Sequence, residues 1–297
     1  MEISQSGRSK KVDEIMNDIL KNIELNMMSF SKGQKKIAQF ITGQYNKAVF
    51  MTAAKIAEET GVSESTVVRF ANALGFDGFP EFQQALQESV KGKLTALQRL
   101  EQTSSHLESR DILSLVMNSD ISILKTAYEQ LDKELFEKAV QAISSAKRIY
   151  IIGVRSASAM ASFLGFYLNL LFDDVRVIST TSVSEVFEQI MRIGEDDVLI
   201  GISFPRYSNR TVKALQYAKS KNATVLSITD SKASPLNEYS DVSLLAESGM
   251  VSFVDSLVAP LSIINALIVA LGMNKKAEIT DTFDRLEDIW KEYNVYK

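Results

Sequence analysis

The chain has no cysteine and one histidine in 297 residues. Without thiols there is no disulfide framework, no thiolate nucleophile and no zinc finger. The single histidine, His106, lies in the polar run Gln102-Thr103-Ser104-Ser105-His106. A Ser/His/Asp triad or a multi-histidine metal site would have to be built around a residue that reads as surface, so neither a metal nor a cofactor is expected. No apolar run reaches the ~18 residues that span a bilayer. The opening MEISQSGRSKK has charge but no apolar core behind it, unlike a secretory signal, and a cytoplasmic protein with no membrane contact is the expectation. Positive charge is not in excess either: 33 Lys+Arg face 37 Asp+Glu, a net charge of −4. With 45% apolar and 24% charged residues, the composition is that of a globular protein long enough for more than one domain.

The charge is uneven along the chain. Residues 1–95 hold 12 Lys+Arg against 11 Asp+Glu, leaving 21 against 26 for the rest. From Leu25 to Ala57 the chain carries Lys32, Lys35, Lys36, Lys47 and Lys55 and no acid. Such a segment suits a phosphate-facing surface, and equally a solvated helix face.

The first ninety residues repeat apolar positions every three to four residues: Ile37, Phe40, Ile41 and Tyr45, then Ile56, Val67, Phe70 and Leu74. That spacing predicts a bundle of short helices, punctuated by Gly33, Gly43, Gly61 and Gly75. A polar patch near 102–110 marks a linker, giving a helical domain over 1–90, a linker over 91–110 and a second domain over 111–297. Helices are expected over 111–130 and 134–145. From Arg148 the pattern changes to runs rich in valine and isoleucine, 149–154, 175–179, 197–203, 224–229 and 242–246, alternating with helical stretches. Continuously apolar strands between helices predict a doubly wound, five-stranded parallel sheet in an αβα sandwich. Ligands of such sheets bind beyond the carboxyl ends of the strands.

Residues 52–75, TAAKIAEETGVSESTVVRFANALG, read as helix, glycine turn, helix. Thr52 is expected to cap the first helix, Gly61 to break it, and Ser63 to cap the second. If the second helix enters a major groove, Glu64, Ser65, Thr66 and Arg69 are placed to meet bases or phosphates. A helical hairpin with no nucleic-acid role has the same periodicity. SKGQKKIAQFI, followed by AAKIAEETGVSESTVVRFANALGFDGFPEFQ, resembles the amino-terminal domain of the RpiR family of bacterial transcriptional regulators. The resemblance implies operator binding as a dimer, with Ser63, Ser65, Thr66 and Arg69 at the interface. The charge asymmetry adds Lys32, Lys35 and Lys36 as backbone contacts.

In the second half, 153-GVRSASAM-160 and 203-SFPRYSNRT-211 each leave an apolar strand and run into a helix. Exposed N–H groups and the dipole at a helix start favour an anion, although a plain helix cap uses the same residues. These stretches, with VRVIST, ATVLSITDSKASPL and VSLLAESGMVSFVDSLVAP, resemble a sugar isomerase (SIS) domain, which RpiR regulators carry after the DNA-binding part. The resemblance implies that Gly153 and Ser156 form one phosphate turn, with Arg155 between them. It also implies that Ser203 and Ser208 belong to the other, where Thr211 adds a hydroxyl as the chain enters the next helix. Pro205 stands where the family pattern has a serine, and Arg206 where it has a glycine. Pro205 removes a hydroxyl and a backbone donor; Arg206 adds a planar cation suited to phosphate or carboxylate. Glu247, after the fifth strand, corresponds to the region of an isomerase base, or serves sugar recognition.

The expectation is a DNA-binding regulator controlled by an anionic metabolite, a sugar phosphate or relative, working as a homodimer or higher homo-oligomer with no catalytic residues. The apolar segments 256–272 and 279–293 are candidates for the subunit interface, the first being also compatible with a buried core helix. A sugar phosphate isomerase with an accessory helical domain is the alternative, and a protein-binding scaffold is a third.

Overall fold

In a computed structural model of the chain, residues 19–90, 111–180, 182–249 and 254–296 are described. The expected linker and His106 lie outside them. The chain divides into two compact units, Met1–Arg110 and Asp111–Lys297.

In the first unit, helical residues 19–26 precede α1 (Lys32–Gly43), α2 (Tyr45–Ala48), α3 (Ala53–Thr60), α4 (Glu64–Ala73) and α5 (Phe79–Val90). The three-to-four spacing brings Ile37, Ile41, Tyr45, Ile56, Val67, Phe70 and Leu74 into one core, with Phe40 packed at its margin. Phe70 is fully buried. Its ring centroid lies 5.1 Å from Phe30 and 5.8 Å from Phe82. Phe82 also meets Phe76 and Phe79. The segment that delivers these rings needs Gly75 and Gly78, whose φ of 94° and 121° are conformations a β-carbon disfavours.

The second unit opens with α6 (Ile112–Glu129) and α7 (Lys133–Ser145). Five strands follow: β1 (Arg148–Gly153), β2 (Val175–Ile178), β3 (Asp197–Ile202), β4 (Thr224–Thr229) and β5 (Val242–Leu245). Between and after them lie α8 (Ser156–Leu168), α9 (Val183–Ile190), α10 (Asn209–Ser220), α11 (Val258–Asn274) and α12 (Lys276–Glu292). The sheet order is β2-β1-β3-β4-β5, and every pairing is parallel. Burial on both faces explains the unbroken apolar runs. Ile149 and Ile151 of β1 point into a core shared with α7, α8 and α11. Tyr150 and Ile152 point into a second core with α9 and α10. The five-stranded doubly wound architecture is thus the one expected from the sequence, with strand ends shifted by about one residue.

The chain leaves β1 on one side to form β2 and returns on the other to form β3. The neighbouring carboxyl ends of β1 and β3 are therefore the switch point at which such sheets bind ligands. Of the two readings of 256–272, the core helix holds in part: α11 buries Ala259, Ile263, Ile264, Leu267 and Leu271. Leu261, Val269 and Met273 on the same helix are exposed. α12 buries no residue and exposes Phe283 and Ile289.

Candidate functional site

The α3–α4 pair forms as its residues dictate at three of four points. Thr52 accepts the Lys55 N–H at 3.2 Å. Gly61 takes the left-handed C-cap conformation, φ 63°, and Val62 packs at the core margin. Ser63 occupies the N-cap position of α4 but caps nothing with its side chain, which corrects the expected role. Its hydroxyl bonds instead to those of Ser65 (2.9 Å) and Thr66 (2.8 Å), which compete with the helix N–H groups for the same oxygen. Arg69 donates from Nε to the Ser65 carbonyl (3.2 Å) and from Nη2 to Thr66 Oγ1 (3.4 Å).

Ser63, Ser65, Thr66 and Arg69 are thus one hydrogen-bonded strip on the outer side of α4, while Val67, Phe70 and Ala71 are buried on its inner side. Glu64 is exposed in the first turn, where the helix dipole favours a carboxylate. Val68 and Asn72 share the exposed side; their helical offset from Ser65 and Arg69 was the signal that could have included them.

α1 begins against this strip. Ser31 and Gln34 form a reciprocal capping box, legible in the sequence as Ser-x-x-Gln. Gln34 Nε2 reaches the Arg69 carbonyl at 3.3 Å. A β-carbon on Gly33 would stand 3.1 Å from Thr66 Cγ2. Lys32 and Lys36 are exposed and Lys35 half-exposed on this helix. Among the described residues none of the three forms an ion pair, whereas Lys47 pairs with Glu59 and Lys55 with Glu58. Of the five lysines singled out by charge, three therefore stand on the helix that meets α4, with no acid paired to them among the described residues.

At the end of β1, a β-carbon on Gly153 would lie 2.4 Å from the Ala157 carbonyl oxygen. Glycine is required there because the first turn of α8 lies directly against the strand end. Arg155 is the N-cap of α8, with φ 62° and ψ −126° and no side-chain cap. Its carbonyl accepts both the Ser158 N–H and the Ser158 hydroxyl, so Ser158 secures the turn. Ser156 is the first residue of α8 and is exposed.

At the end of β3, Ser203 is buried and its Oγ accepts the Ser208 N–H at 3.1 Å. Ser208 caps α10, its Oγ accepting the Thr211 N–H at 3.5 Å. Thr211 is 0% exposed and its Oγ1 has no hydrogen-bond partner among the described residues. Its side chain is buried because the third residue of α10 falls on the side packed against the sheet. Arg206 is exposed and has φ 64°, a conformation that costs an ordinary residue roughly 1–2 kcal/mol. A glycine in the family pattern at this position has its physical reason in that angle.

The next residue, Tyr207, donates its phenol to Asp230 Oδ1 at 2.8 Å. Burial, with the Asp230 charge second, pushes the phenol far above its usual pKa, so it remains a donor. Arg210 of α10 donates to the Thr180 carbonyl after β2 at 3.4 Å. Neither Arg155 nor Arg206 is engaged in a side-chain hydrogen bond or ion pair among the described residues. The switch point thus sets two exposed guanidiniums and the starts of α8 and α10 at adjacent strand ends. Glu247 is half-buried after β5, and β4 lies between β5 and β3 in the sheet. Among the described residues there is no cluster of acidic or histidine side chains fit for a metal, and no single helix is long and apolar enough to cross a membrane.

A helix-turn-helix unit is thus followed by a parallel sheet with two exposed arginines at its switch point. Comparison with known proteins identifies both halves. The helix-turn-helix domain of the rpiR family matches residues 17–93 and the SIS domain matches residues 142–270. The chain belongs to the RpiR family and is a transcriptional regulator of that type. It is 25% identical to the HTH-type transcriptional regulator HexR of Escherichia coli strain K12, over 93% of this chain and 95% of that protein. The sugar isomerase domain of an RpiR transcription factor from Sphaerobacter thermophilus is 26% identical with a TM-score of 0.58, covering 60% of this chain and 99% of that one. The NanR protein of Vibrio vulnificus, solved with ManNAc-6P, shares the fold at 22% identity and a TM-score of 0.56, covering 93% and 98% of the two chains.

Proposed function

We propose that this regulator senses an anionic metabolite, a sugar phosphate or a relative, at the β1 and β3 strand ends, and that occupancy changes its grip on operator DNA. The observation that carries the reading is the pair of exposed arginines, Arg155 and Arg206, held in left-handed backbone at adjacent loops of the switch point. Backbone strain of this kind persists where the surroundings and a function hold it. Both guanidiniums stand beside a helix start, where an anion is favoured. Ser156 and Ser208 add hydroxyls. Recognition without turnover is supported by the helix-turn-helix domain and by relatives named transcriptional regulators. A cytoplasmic location accompanies operator binding.

DNA contact is assigned to Ser63, Glu64, Ser65, Thr66 and Arg69 of the α4 segment, with Lys32, Lys35 and Lys36 on phosphates. Because one short recognition helix reads few base pairs, two copies on paired half-sites are required. The exposed Leu261, Val269 and Met273 of α11 and Phe283 and Ile289 of α12 supply apolar surface for that assembly.

Operator binding measured over a salt series, with and without a panel of sugar phosphates and sugar acids, tests the whole reading. Arg69→Ala is expected to cost about 1–3 kcal/mol on the operator if it reads a base, and to leave metabolite binding unchanged. Arg206→Ala should weaken metabolite binding by about 1.5–3 kcal/mol, the range for hydrogen bonds to a charged group, and leave ligand-free DNA affinity as it was. Unchanged metabolite affinity in Arg206→Ala would remove the β3 loop from the site. A salt slope no steeper than that of a weakly basic surface would remove the DNA assignment.

A further inference from the structure

Arg206 holds a backbone conformation that glycine adopts freely and arginine resists, so its neighbours must hold it there. Two side-chain tethers fix the loop to the end of β4, and a third bond closes the loop on itself. The Ser203 carbonyl accepts the Thr229 hydroxyl at 2.8 Å, and Thr229 Oγ1 lies 2.7 Å from Ser234 Oγ. Ser208 is bound back to Ser203 through the N–H to Oγ bond already described. Between them the Tyr207 phenol is bonded to Asp230, which Thr229 Oγ1 also approaches at 3.3 Å.

With residues 203, 207 and 208 fixed, only Phe204, Pro205 and Arg206 span the gap. Phe204 is buried in the sheet core, and the ring of Pro205 restricts its own φ. The turn is left to be completed at Arg206. Proline followed by a left-handed residue is the order of a type II turn, whose third position usually takes glycine or asparagine.

We propose that Tyr207 and Asp230 are positioning residues. Their hydrogen bond holds Arg206 in the left-handed conformation and thereby fixes where its guanidinium is offered to the anion. The use of that guanidinium rests on the reading of 203–211 as an anion loop; the mechanical hold does not.

Four full-length proteins separate the two: wild type, Arg206→Gly, Tyr207→Phe and the double variant. Phenylalanine keeps the ring and removes only the hydroxyl. Arg206→Gly is expected to raise the melting temperature of the second unit by about 2–4 °C in the wild-type background, since glycine relieves the strain. In Tyr207→Phe the released loop relaxes, and the same substitution should gain less than half as much. Equal gains in the two backgrounds would overturn the proposal. Asp230→Asn, which retains a carbonyl acceptor, should preserve the coupling and Asp230→Ala should abolish it.

Titration with inorganic phosphate forms the second arm. Tyr207→Phe should weaken phosphate binding about threefold to tenfold when Arg206 is present and have no effect in the Arg206→Gly protein. An equal loss in both overturns the positioning role. If wild type takes up no phosphate while the melting coupling persists, the anion reading of the loop fails and the hold on Arg206 stands.

Discussion

Phe70→Ala is expected to unfold the amino-terminal unit at temperatures where the SIS domain remains intact. Phe70 is fully buried between Phe30 and Phe82, on the side of α4 opposite the Ser63–Arg69 strip. Truncating a buried phenylalanine costs about 3–5 kcal/mol, most of what a small domain has to spare. A unit of this size shifts its melting temperature by roughly 4–8 °C per kcal/mol. Calorimetry of the full chain should show one transition lowered by more than roughly 12 °C and the other unmoved, with operator binding lost at physiological temperature. Phe70→Leu, which refills most of the volume, should recover most of the loss. A shift of under about 4 °C for the alanine variant would mean that Phe70 is not the centre of this core.

The second large effect is expected at Gly153. A β-carbon there stands 2.4 Å from the Ala157 carbonyl oxygen, 2.8 Å from its carbon and 3.1 Å from Ala161 Cβ. The obstruction is backbone, so no rotamer change relieves it. α8 would have to lift from the sheet, and α8 buries Ala157, Met160, Ala161, Leu164 and Leu168. Overpacking of this kind costs about 1–3 kcal/mol and occasionally more, and Gly153→Val should exceed Gly153→Ala. Because Arg155 and Ser156 ride on the same turn, metabolite stabilisation should disappear together with thermal stability. Gly194→Ala, where a β-carbon meets nothing within 4 Å, is the control and should melt within about 1 °C of wild type.

What the sequence makes legible is local. α10 begins where 203-SFPRYSNRT-211 is expected to run into a helix, at Asn209, because its cap, Ser208, and its buried Ala214, Leu215 and Ala218 lie within one short stretch. The parallel sheet is legible for the same reason: each strand announces burial on both faces by itself. Ser63 shows where this fails, since two hydroxyls two and three residues away decide that its oxygen bonds sideways and not to the helix. Tyr207 and Asp230 lie 23 residues apart, and neither the spacing nor the residue types announce that they meet. Gly153 reads as a glycine with a purpose, but the purpose in the sequence is room for a ligand, and in the structure it is room for the Ala157 carbonyl. Thr211 reads as one more hydroxyl in a polar loop, and only the rotation of α10 against the sheet reveals that it faces inward.

α12 has a consequence of a different kind. Its seventeen residues include none that is buried, and Ile279 packs only at the margin of the core, so tertiary packing, from which most helical stability comes, adds little to intrinsic propensity and pairs such as Arg285–Asp281. Any surface that covered Phe283 and Ile289 would then be linked to its folding. The free energy of ordering the helix becomes part of that association, and helicity at the carboxyl end becomes a matter of mass action, rising with the concentration of the covering surface.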